Sequence, residues 1–340
     1  MSNQEASNTA TNKKVILSGM QPTGRLMIGN YAGALRNWNE LQHTHDCLFC
    51  VVDMHAITVR QKPADLRRTS LDVAALYIAS GIDPEKSVIF LQSHVPQHAE
   101  LAWVLTCLTY MGECSRMTQF KEKSEKHSET VGLFTYPILM AADILIYQAD
   151  LVPVGADQKQ HLELTRNLAE RFNHYYSDTF VVPDPYIPPD GHRIMSLQEP
   201  DKKMSKSDSN LKSTLFLTDE PDEIRNKIKR AVTDSGTEIR MDESRPAVSN
   251  LLTLYQIATG RPMAEIEAHF AGKNYAELKS DLADAMIALL EPVQSEYKRL
   301  MNDKTFLEQI LKNGAEAARH RAQKTLRKVY KKTGFVPAFS

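Results

Sequence analysis

A short basic segment is the strongest candidate for chemistry in this chain. Residues 202–207 read Lys-Lys-Met-Ser-Lys-Ser, with Lys203 and Lys206 three residues apart and acidic residues on both flanks. This composition is typical of a polar, mobile loop. Two ammonium groups on such a loop can close over an anionic substrate and neutralise charge as a phosphoryl bond breaks. A solvated run of charges is the alternative, because lysines usually face solvent.

The stretch from Gly19 to Tyr31 offers a second place for an anionic ligand. It follows a short apolar run, and its three glycines let the backbone approach a ligand closely. Gly29 and Asn30 then open a helix, whose first N–H groups and positive dipole end suit phosphate. The spacing matches neither the dinucleotide-binding glycine pattern nor the phosphate loop. A tight turn into a core helix is the alternative.

Three further polar side chains stand where a ligand could reach them. Asp157 follows a strand and opens a helix, which it can cap, or it can accept hydrogen bonds from ribose hydroxyls. Asp143 lies inside an apolar helix, where a carboxylate is costly unless a protein donor or a ligand N–H satisfies it. His55 comes just past the second strand, at the strand end where α/β folds bind ligands.

The elements that must position these residues alternate between strand and helix in the first half. Strands are predicted at 15–19, 48–53, 87–91 and 151–155, and helices at 29–42, 63–79, 98–111, 136–148 and 158–172. This order predicts a Rossmann-like, doubly wound parallel sheet. The prolines that crowd 183–189 predict a loop-rich border.

The second half shows only helical patterns. Helices are predicted at 221–232, 246–258, 262–270, 274–302 and 304–332. The fold class is therefore α/β followed by an all-α C-terminal domain. We expect a disordered tail over 1–12, a Rossmann-like catalytic domain over 13–207 with the basic loop at its end, and a helical domain over 208–340.

The composition excludes several classes of protein. With 42% hydrophobic and 24% charged residues the chain is globular, and no apolar run approaches the ~18 residues of a membrane span. Residues 1–14 resemble neither a secretory signal nor a transit peptide. A net charge of −1 excludes a uniformly basic nucleic-acid binder but leaves room for a local basic patch. Cys47 and Cys50 would point to opposite faces of a strand as buried thiols, which indicates a reducing compartment.

Taken together and in this order, the motifs resemble the class I aminoacyl-tRNA synthetases. Residues 203–207 match the family's KMSKS loop letter for letter, and 22–30 resembles its HIGH region. The strings at 136–145 and 157–166 are similar to those of the tryptophan-specific branch. The likeness covers about 15–260 and then passes into a helical tail. Two departures are Met27, where most relatives carry His or Thr, and Leu17, where Phe is frequent.

The resemblance implies a two-step reaction. The carboxylate of L-tryptophan would attack the α-phosphorus of ATP, releasing pyrophosphate, and the aminoacyl group would then pass to a ribose hydroxyl of tRNA(Trp). Mg²⁺ would lie on the phosphates, with no protein side chain as a metal ligand. The protein would be a cytoplasmic homodimer with no membrane or DNA partner, and its helical domain would bind the anticodon.

The resemblance also assigns roles to individual residues. Lys203, Lys206, Gln21 and Asn30 would be catalytic. The ATP site would comprise Gln21, Pro22, Thr23, Gly29, Asn30, Gly155, Ala156, Asp157, Ile194, Lys203, Met204, Ser205, Lys206 and Ser207. Asp143 would accept the indole N–H, so that phenylalanine would leave it unpaired. The rest of the tryptophan site would comprise Tyr136, Gln158 and His55 at the head group, Met140, Val152 and Val154 at the ring, and Gly19.

The last predicted helix carries a basic stripe that suits RNA phosphate. Its members, with no acid among them, are Arg319, Arg321, Lys324, Arg327, Lys328, Lys331 and Lys332. A solvated final helix is the alternative.

Two other functions stay open. The tyrosine-specific synthetases share the fold, although the strings around Asp143 and at 157–166 point away from them. A non-catalytic nucleotide- or RNA-binding paralogue would explain Met27, although the intact pair of lysines argues against it.

Overall fold

Five parallel strands form one sheet in the computed structural model, which describes residues 13–118, 130–155, 158–188, 193–206 and 208–337. The spatial order is β3-β2-β1-β4-β5, so the direction of winding changes between β1 and β4. The strands are β1 (Val15–Met20), β2 (Asp46–Val51), β3 (Ser87–Leu91), β4 (Leu151–Pro153) and β5 (Asp184–Tyr186). The doubly wound parallel sheet is confirmed, and such sheets bind ligands at the carboxyl edge, near the change of direction.

The helices of the first half connect these strands. They are α1 (Ile28–Asn30), a π-helical segment (Tyr31–Leu35), α2 (Arg36–Leu41), α3 (Asp53–Ala56), α4 (Pro63–Ala79), α5 (Gln97–Thr106), α6 (Met111–Ser115), α7 (Val131–Leu145) and α8 (Lys159–Tyr176). Local signals fix several of their ends. Pro63 opens α4, where no backbone N–H is needed, and the Thr130 side chain caps α7 by accepting the Leu133 N–H.

In four details the first half differs from the expectations. The proline-rich stretch is not all loop, because β5 pairs with β4 from the edge of the sheet, where Pro185 is tolerated despite its missing donor. The helix predicted at 29–42 contains the π-helical segment. Helix α5 ends at Thr106 rather than 111, and α7 begins at Val131 rather than 136.

From residue 208 onward the regular elements that the structure describes are helices, joined by non-helical segments such as 231–245. Its helices are α9 (Pro221–Lys229), α10 (Pro246–Thr259), α11 (Met263–Phe270), α12 (Tyr275–Asn302) and α13 (Lys304–Thr333). Side-chain caps from Asn274 and Asp303 begin the two long helices, and Gly260 ends α10 with a positive φ of 68°. None of the helices described in either half is long and apolar enough to cross a membrane.

The core has two parts, one on each face of the sheet. Ile16, Cys47 and Phe49 belong to the first part, which continues into α10, α11 and α12. Leu17 and Cys50 belong to the second, which includes the apolar side of α13. Cys47 and Cys50 are therefore buried free thiols on opposite faces, as predicted.

Helix α13 crosses the sheet at very close range. At Gly314 a Cβ atom would overlap the carbonyl oxygen of Ile89 in β3, so only glycine fits. The C-terminal helices thus share both parts of the core with the sheet. The division into domains at 207/208 stays a prediction, and the tail over 1–12 lies outside the described residues.

Candidate active site

The carboxyl edge of the sheet gathers side chains from four elements. His55 follows β2 in α3, Gln92 follows β3, and both contact Asp143 in α7. Gly19 lies near the end of β1, paired with Cys50 of β2. A Cβ at Gly19 would lie 2.5 Å from the Cys50 carbonyl oxygen, so the close strand pairing requires glycine there.

The Asp143 carboxylate is buried and fully hydrogen-bonded. Its Oδ1 accepts from His98 Nδ1 (2.6 Å) and Gln92 Nε2 (2.8 Å), and its Oδ2 accepts from His55 Nε2 (2.8 Å) and Gln92 Nε2 (2.9 Å). A carboxylate has about four acceptor positions, and these contacts use them all. Protein donors therefore satisfy the charge that the sequence left without an identified partner.

These contacts keep Asp143 ionised. Burial by itself raises the pKa of a carboxyl group, but the hydrogen bonds from His55 and His98 and the charge of His98 outweigh it and lower the pKa of Asp143 to about 2. The group is thus an anionic acceptor in an apolar layer over the whole physiological pH range.

Tyr136 and Gln158, both predicted at the amino-acid head group, are joined by a histidine. The Tyr136 hydroxyl lies 3.0 Å from His161 Nε2, and His161 Nδ1 lies 2.9 Å from Gln158 Oε1. His161 is only 1% exposed. His55 packs edge-on against the Tyr136 ring, with centroids 6.2 Å apart, so the predicted head-group residues and Asp143 form one continuous cluster.

The residues predicted to line the ring lie in the second part of the core. Val152 and Val154 are buried in β4 and just after it, and the partly buried Met140 packs against the same part of the core. Leu17, one of the two departures from the family pattern, is buried in the same cluster. The apolar layer beside Asp143 is therefore continuous.

The segment after β1 makes a turn and enters α1. Pro22 is buried, and its carbonyl oxygen accepts from the Thr69 hydroxyl at 2.6 Å. Asn30 caps the turn because its Oδ1 accepts the Met27 N–H (3.1 Å). A Cβ at Gly29 would meet only Met27, at an ordinary 3.5 Å, so no packing of the protein itself requires glycine at this position.

The basic loop has a fixed base. Met204 is buried in the first part of the core, and its N–H donates to the Ile194 carbonyl oxygen (3.0 Å). The Asn250 side chain holds the backbone of Met195 through hydrogen bonds of 2.9 Å to both its N–H and its carbonyl oxygen. The Thr214 hydroxyl donates to the Ser205 carbonyl oxygen (3.0 Å).

The two signature segments meet through the chain that follows the basic loop. Ile28 N–H donates to the Leu215 carbonyl oxygen and Leu217 N–H to the Leu26 carbonyl oxygen, both at 2.9 Å. These bonds place segment 26–28 beside segment 215–217. Because Thr214 also holds Ser205, the start of α1 and the basic loop lie on the same side of the molecule.

A buried carboxylate reinforces this junction. Asp219 is fully buried and pairs with Lys227 (2.5 Å) and Arg25 (2.9 Å), and it accepts the Phe216 N–H (2.9 Å). Both cations also lie over the Phe216 ring, at 4.5 Å for Arg25 and 4.8 Å for Lys227. The charge of Asp219 is thus balanced where the two segments touch.

The two lysines of the basic loop differ in environment. Lys203 is exposed, whereas Lys206 is partly buried, and burial lowers the pKa of Lys206 to about 8. Gly155 is exposed at the end of β4, and its carbonyl oxygen accepts the Gln158 N–H. Ala156, Asp157 and Ser207 lie outside the described residues, so their predicted roles stay predictions.

The basic stripe on α13 is only partly free for RNA. Arg321 pairs with Asp46 (2.7 Å), Arg319 donates to the His94 carbonyl oxygen (2.9 Å), and Lys332 donates to the Thr179 hydroxyl (2.7 Å). These three contacts hold the helix against β2, the segment after β3 and the segment after α8. The exposed remainder of the stripe is Lys324, Arg327, Lys328 and Lys331.

Four polar residues of the cluster carried no predicted role. The sequence could have marked Gln92 as a candidate site residue, because it directly follows the predicted strand at 87–91, just as His55 follows the strand before it. His161 lies within the string 157–166 and Tyr147 closes the apolar helix of Asp143, but nothing local indicates that they contact the site. His98 lies in α5, and only the packing of α5 on α7 brings it to Asp143.

Comparison with known proteins gives consistent matches. Residues 9–291 match the family described as tRNA synthetases class I (W and Y). A curated tryptophan–tRNA ligase of Clostridium tetani is 55% identical over 331 residues, which cover 97% of this chain and 98% of that protein. Tryptophanyl-tRNA synthetase of Mycoplasma pneumoniae superposes with a TM-score of 0.87 at 35% identity, covering 95% and 98% of the two chains. The Campylobacter jejuni enzyme, solved with ADP and tryptophan, gives 0.83 at 32% identity, covering 94% and 100%.

The ion pairs of Asp219 generate a stability prediction. Asp219→Asn keeps the shape of the side chain but leaves Lys227 buried without a counter-ion, so we expect a loss of about 3 kcal/mol in the free energy of unfolding. Urea titration monitored by circular dichroism measures the loss. The control is Asp184→Asn, whose pair with Arg166 is exposed and should contribute less than about 1 kcal/mol. Equal losses of unfolding free energy in the two variants would contradict the conclusion that the buried ion pairs of Asp219 stabilise the fold more than an exposed pair does.

Proposed function

This chain belongs to the class I tRNA synthetases for tryptophan and tyrosine, and we propose that it is a tryptophan–tRNA ligase. It activates L-tryptophan with ATP to form tryptophanyl-adenylate and pyrophosphate, and it then transfers the aminoacyl group to tRNA(Trp). The observation that carries the proposal is the 55% identity to a curated tryptophan–tRNA ligase over almost the full length of both chains. The structure adds a chemical argument: the buried carboxylate of Asp143, in an apolar layer at the carboxyl edge of the sheet, suits an apolar ring that carries an N–H donor.

The first step requires alignment and charge stabilisation more than covalent chemistry. The tryptophan carboxylate attacks the α-phosphorus in line with the departing pyrophosphate. In our proposal Lys203 and Lys206 neutralise the charge that collects on the pyrophosphate oxygens, and Gln21 and Asn30 align the phosphates. The junction between segments 26–28 and 215–217 supports this arrangement, because it places the start of α1 and the basic loop on one side of the molecule.

ATP would lie along the carboxyl edge between these two segments. Gly29 supports a phosphate contact, because its only neighbour at the Cβ position is Met27, at an ordinary 3.5 Å, so protein packing does not explain the glycine. Pro22 and Thr23 shape the turn, and Gly155, Ala156 and Asp157 would bind the ribose. The backbone of Ile194, at the base of the basic loop, would contact the adenine, with Met204, Ser205 and Ser207 completing the loop.

Mg²⁺ would bind mainly to the phosphates. The described ranges hold no group of three or more histidine, cysteine or carboxylate side chains placed to bind a metal ion, and Mg²⁺ in nucleotide sites takes most of its ligands from phosphate oxygens and water. When bound, the ion adds to the charge neutralisation that the two lysines supply.

Tryptophan selection would depend on an exchange of hydrogen bonds at Asp143. All four acceptor positions of the carboxylate are occupied, so an indole N–H can bind only if one donor leaves. His55 is the donor that lies on the Tyr136 side, where the head group is expected. In our proposal the indole N–H replaces His55 Nε2 at Oδ2, while Met140, Val152 and Val154 pack on the ring.

Because His55 can remain bound to Asp143, the expected discrimination against phenylalanine is weaker than it would be with an unpaired carboxylate. Sites built around a buried hydrogen bond reject analogues that lack the donor by roughly 10⁴–10⁵ when the acceptor is left unpaired. Here Asp143 is not left unpaired, because His55 can stay on Oδ2 when the ligand has no N–H. The discrimination against phenylalanine would therefore fall below that range and depend also on how well the ring fills the apolar layer.

Amino-acid-dependent exchange of pyrophosphate into ATP tests the function. We expect exchange with tryptophan to exceed exchange with tyrosine and phenylalanine by at least 100-fold in kcat/KM. Faster exchange with tyrosine would favour the tyrosine-specific alternative. ATP binding without exchange for any amino acid would favour the non-catalytic paralogue that Met27 left open.

A second prediction concerns the carboxylate itself. Asp143→Ala removes the acceptor for the indole N–H and should weaken tryptophan binding by roughly 10–100-fold, because a hydrogen bond to a charged group is lost. Isothermal titration with tryptophan and, separately, with a non-hydrolysable ATP analogue measures both affinities. Equal losses for the two ligands would show that Asp143 only supports the fold.

The lowered pKa of Lys206 predicts a pH dependence. The lysine is charged below its pKa of about 8, so kcat/KM for ATP should be constant at lower pH and fall as pH rises through 8. Lys206→Arg keeps the charge at all these pH values and should remove this decrease. The decrease would belong to another group if it persisted unchanged in Lys206→Arg.

The macromolecular partners and the location complete the proposal. The four exposed cations of α13 would contact tRNA phosphates, and the helical half would bind the anticodon. A cytoplasmic location agrees with the chemistry of the four cysteines, which are all free.

We also propose a homodimer. Large apolar side chains are exposed on and near α5, α6 and the start of α7, namely Trp103 (66%), Tyr110 (59%), Met111 (74%) and Val131 (78%). Large exposed apolar side chains on neighbouring elements are candidates for a protein interface. A second copy is the partner expected from the family resemblance.

Sedimentation equilibrium tests the dimer. Wild type should have twice the chain mass, and Trp103→Glu should shift the equilibrium towards the monomer. The control Ile187→Glu changes an exposed apolar side chain just after β5, at the edge of the sheet opposite β3, and should leave the dimer intact. A monomeric wild type would refute the proposal.

A further inference from the structure

The side of Asp143 that faces away from His55 is closed to any ligand. His98, which donates to Oδ1, is 0% exposed, and its Nε2 lies 2.8 Å from the Tyr147 hydroxyl. The rings of His98 and Tyr147 pack on each other with centroids 5.4 Å apart, and both pack on Phe90. The three side chains therefore form a rigid support behind the carboxylate.

The hydrogen bonds fix the orientation of His98. Because a carboxylate only accepts, Nδ1 of His98 carries the proton that points to Oδ1, and Nε2 then pairs with the Tyr147 hydroxyl. Burial raises the pKa of Tyr147 well above its ordinary value, so its hydroxyl keeps its proton. The imidazole can neither flip nor lose its partner without leaving a polar group unpaired in the core.

Gln92 prevents the carboxylate from turning. Its Nε2 bridges both oxygens of Asp143, and its own Oε1 accepts the Met54 N–H at 3.1 Å, which fixes the direction of the amide. Oδ1 is thus held from the closed side by His98, and Oδ2 is directed to the side of His55 and Tyr136. The support determines which oxygen is available for exchange.

We propose that His98, held by Tyr147, is a positioning residue for tryptophan recognition that keeps Asp143 Oδ2 directed at the ring nitrogen of the substrate. The inference rests on the proposed function, in which Asp143 accepts the indole N–H. His98 touches no substrate, so its loss should affect only the interaction that Asp143 makes. A residue that merely stabilises the fold would affect every substrate alike.

The test compares two substrates that differ in one donor. Tryptophan has the ring N–H, whereas 3-(3-benzothienyl)alanine has a sulfur atom in its place. We measure kcat/KM in pyrophosphate exchange for both amino acids with wild type, His98→Leu, His98→Asn, Tyr147→Phe and Asp143→Asn. His98→Asn retains an N–H donor close to the position of Nδ1. Tyr255→Phe, which removes the hydroxyl of a largely buried ring in α10, is the control.

A positioning role predicts losses that depend on the ring nitrogen. His98→Leu should lower kcat/KM for tryptophan roughly 10–100-fold and for the benzothienyl analogue less than about threefold, with KM for ATP unchanged. Tyr147→Phe should lower kcat/KM for tryptophan roughly 3–10-fold, again with a smaller effect on the benzothienyl analogue. His98→Asn should keep more of the activity with tryptophan than His98→Leu does. Tyr255→Phe should change neither substrate.

Two results would overturn different parts of the inference. If His98→Leu and Tyr147→Phe lose kcat/KM equally for the two substrates, His98 has only a structural role and the proposal is wrong. If His98→Leu does not fold, the result for Tyr147→Phe decides. If Asp143→Asn affects both substrates equally, then Asp143 does not recognise the indole N–H. That outcome would remove the premise in the proposed function, whatever His98 does.

Discussion

One buried carboxylate sets the strictest constraint on this structure. Asp143 is ionised inside an apolar layer, and its charge is tolerable only because four hydrogen bonds reach it from α3, α5 and the end of β3. Those donors converge only if β1, β2 and β3 keep their parallel register and α5 packs on α7. The sheet order and the chemistry of the site are thus consequences of the same packing.

A second junction joins the parts of the chain that would act on ATP. The backbone bonds between 26–28 and 215–217 fix the start of α1 against the segment that follows the basic loop, and Asp219 balances two cations there. Met204 holds the base of the loop in the core, whereas Lys203 is exposed beyond it. A firm base with an exposed cation suits a loop that must close on phosphates and release them.

The departure at Met27 is accommodated by its surroundings. Its N–H donates to Asn30, it pairs with Phe216 across the junction, and its side chain packs against the first part of the core. The residue therefore takes part in holding the two segments together.

Local features follow from neighbouring residues in the chain. Alternating strand and helix patterns, Pro63, and the caps at Asn274 and Asp303 are of this kind, so four strands of the sheet and the five C-terminal helices could be predicted to within a few residues. Long-range packing places Pro185 in an edge strand, pairs Arg321 with Asp46, and brings to Asp143 the side chains that satisfy it. Those contacts join residues tens to hundreds of positions apart, and no local pattern records the packing that brings such residues together.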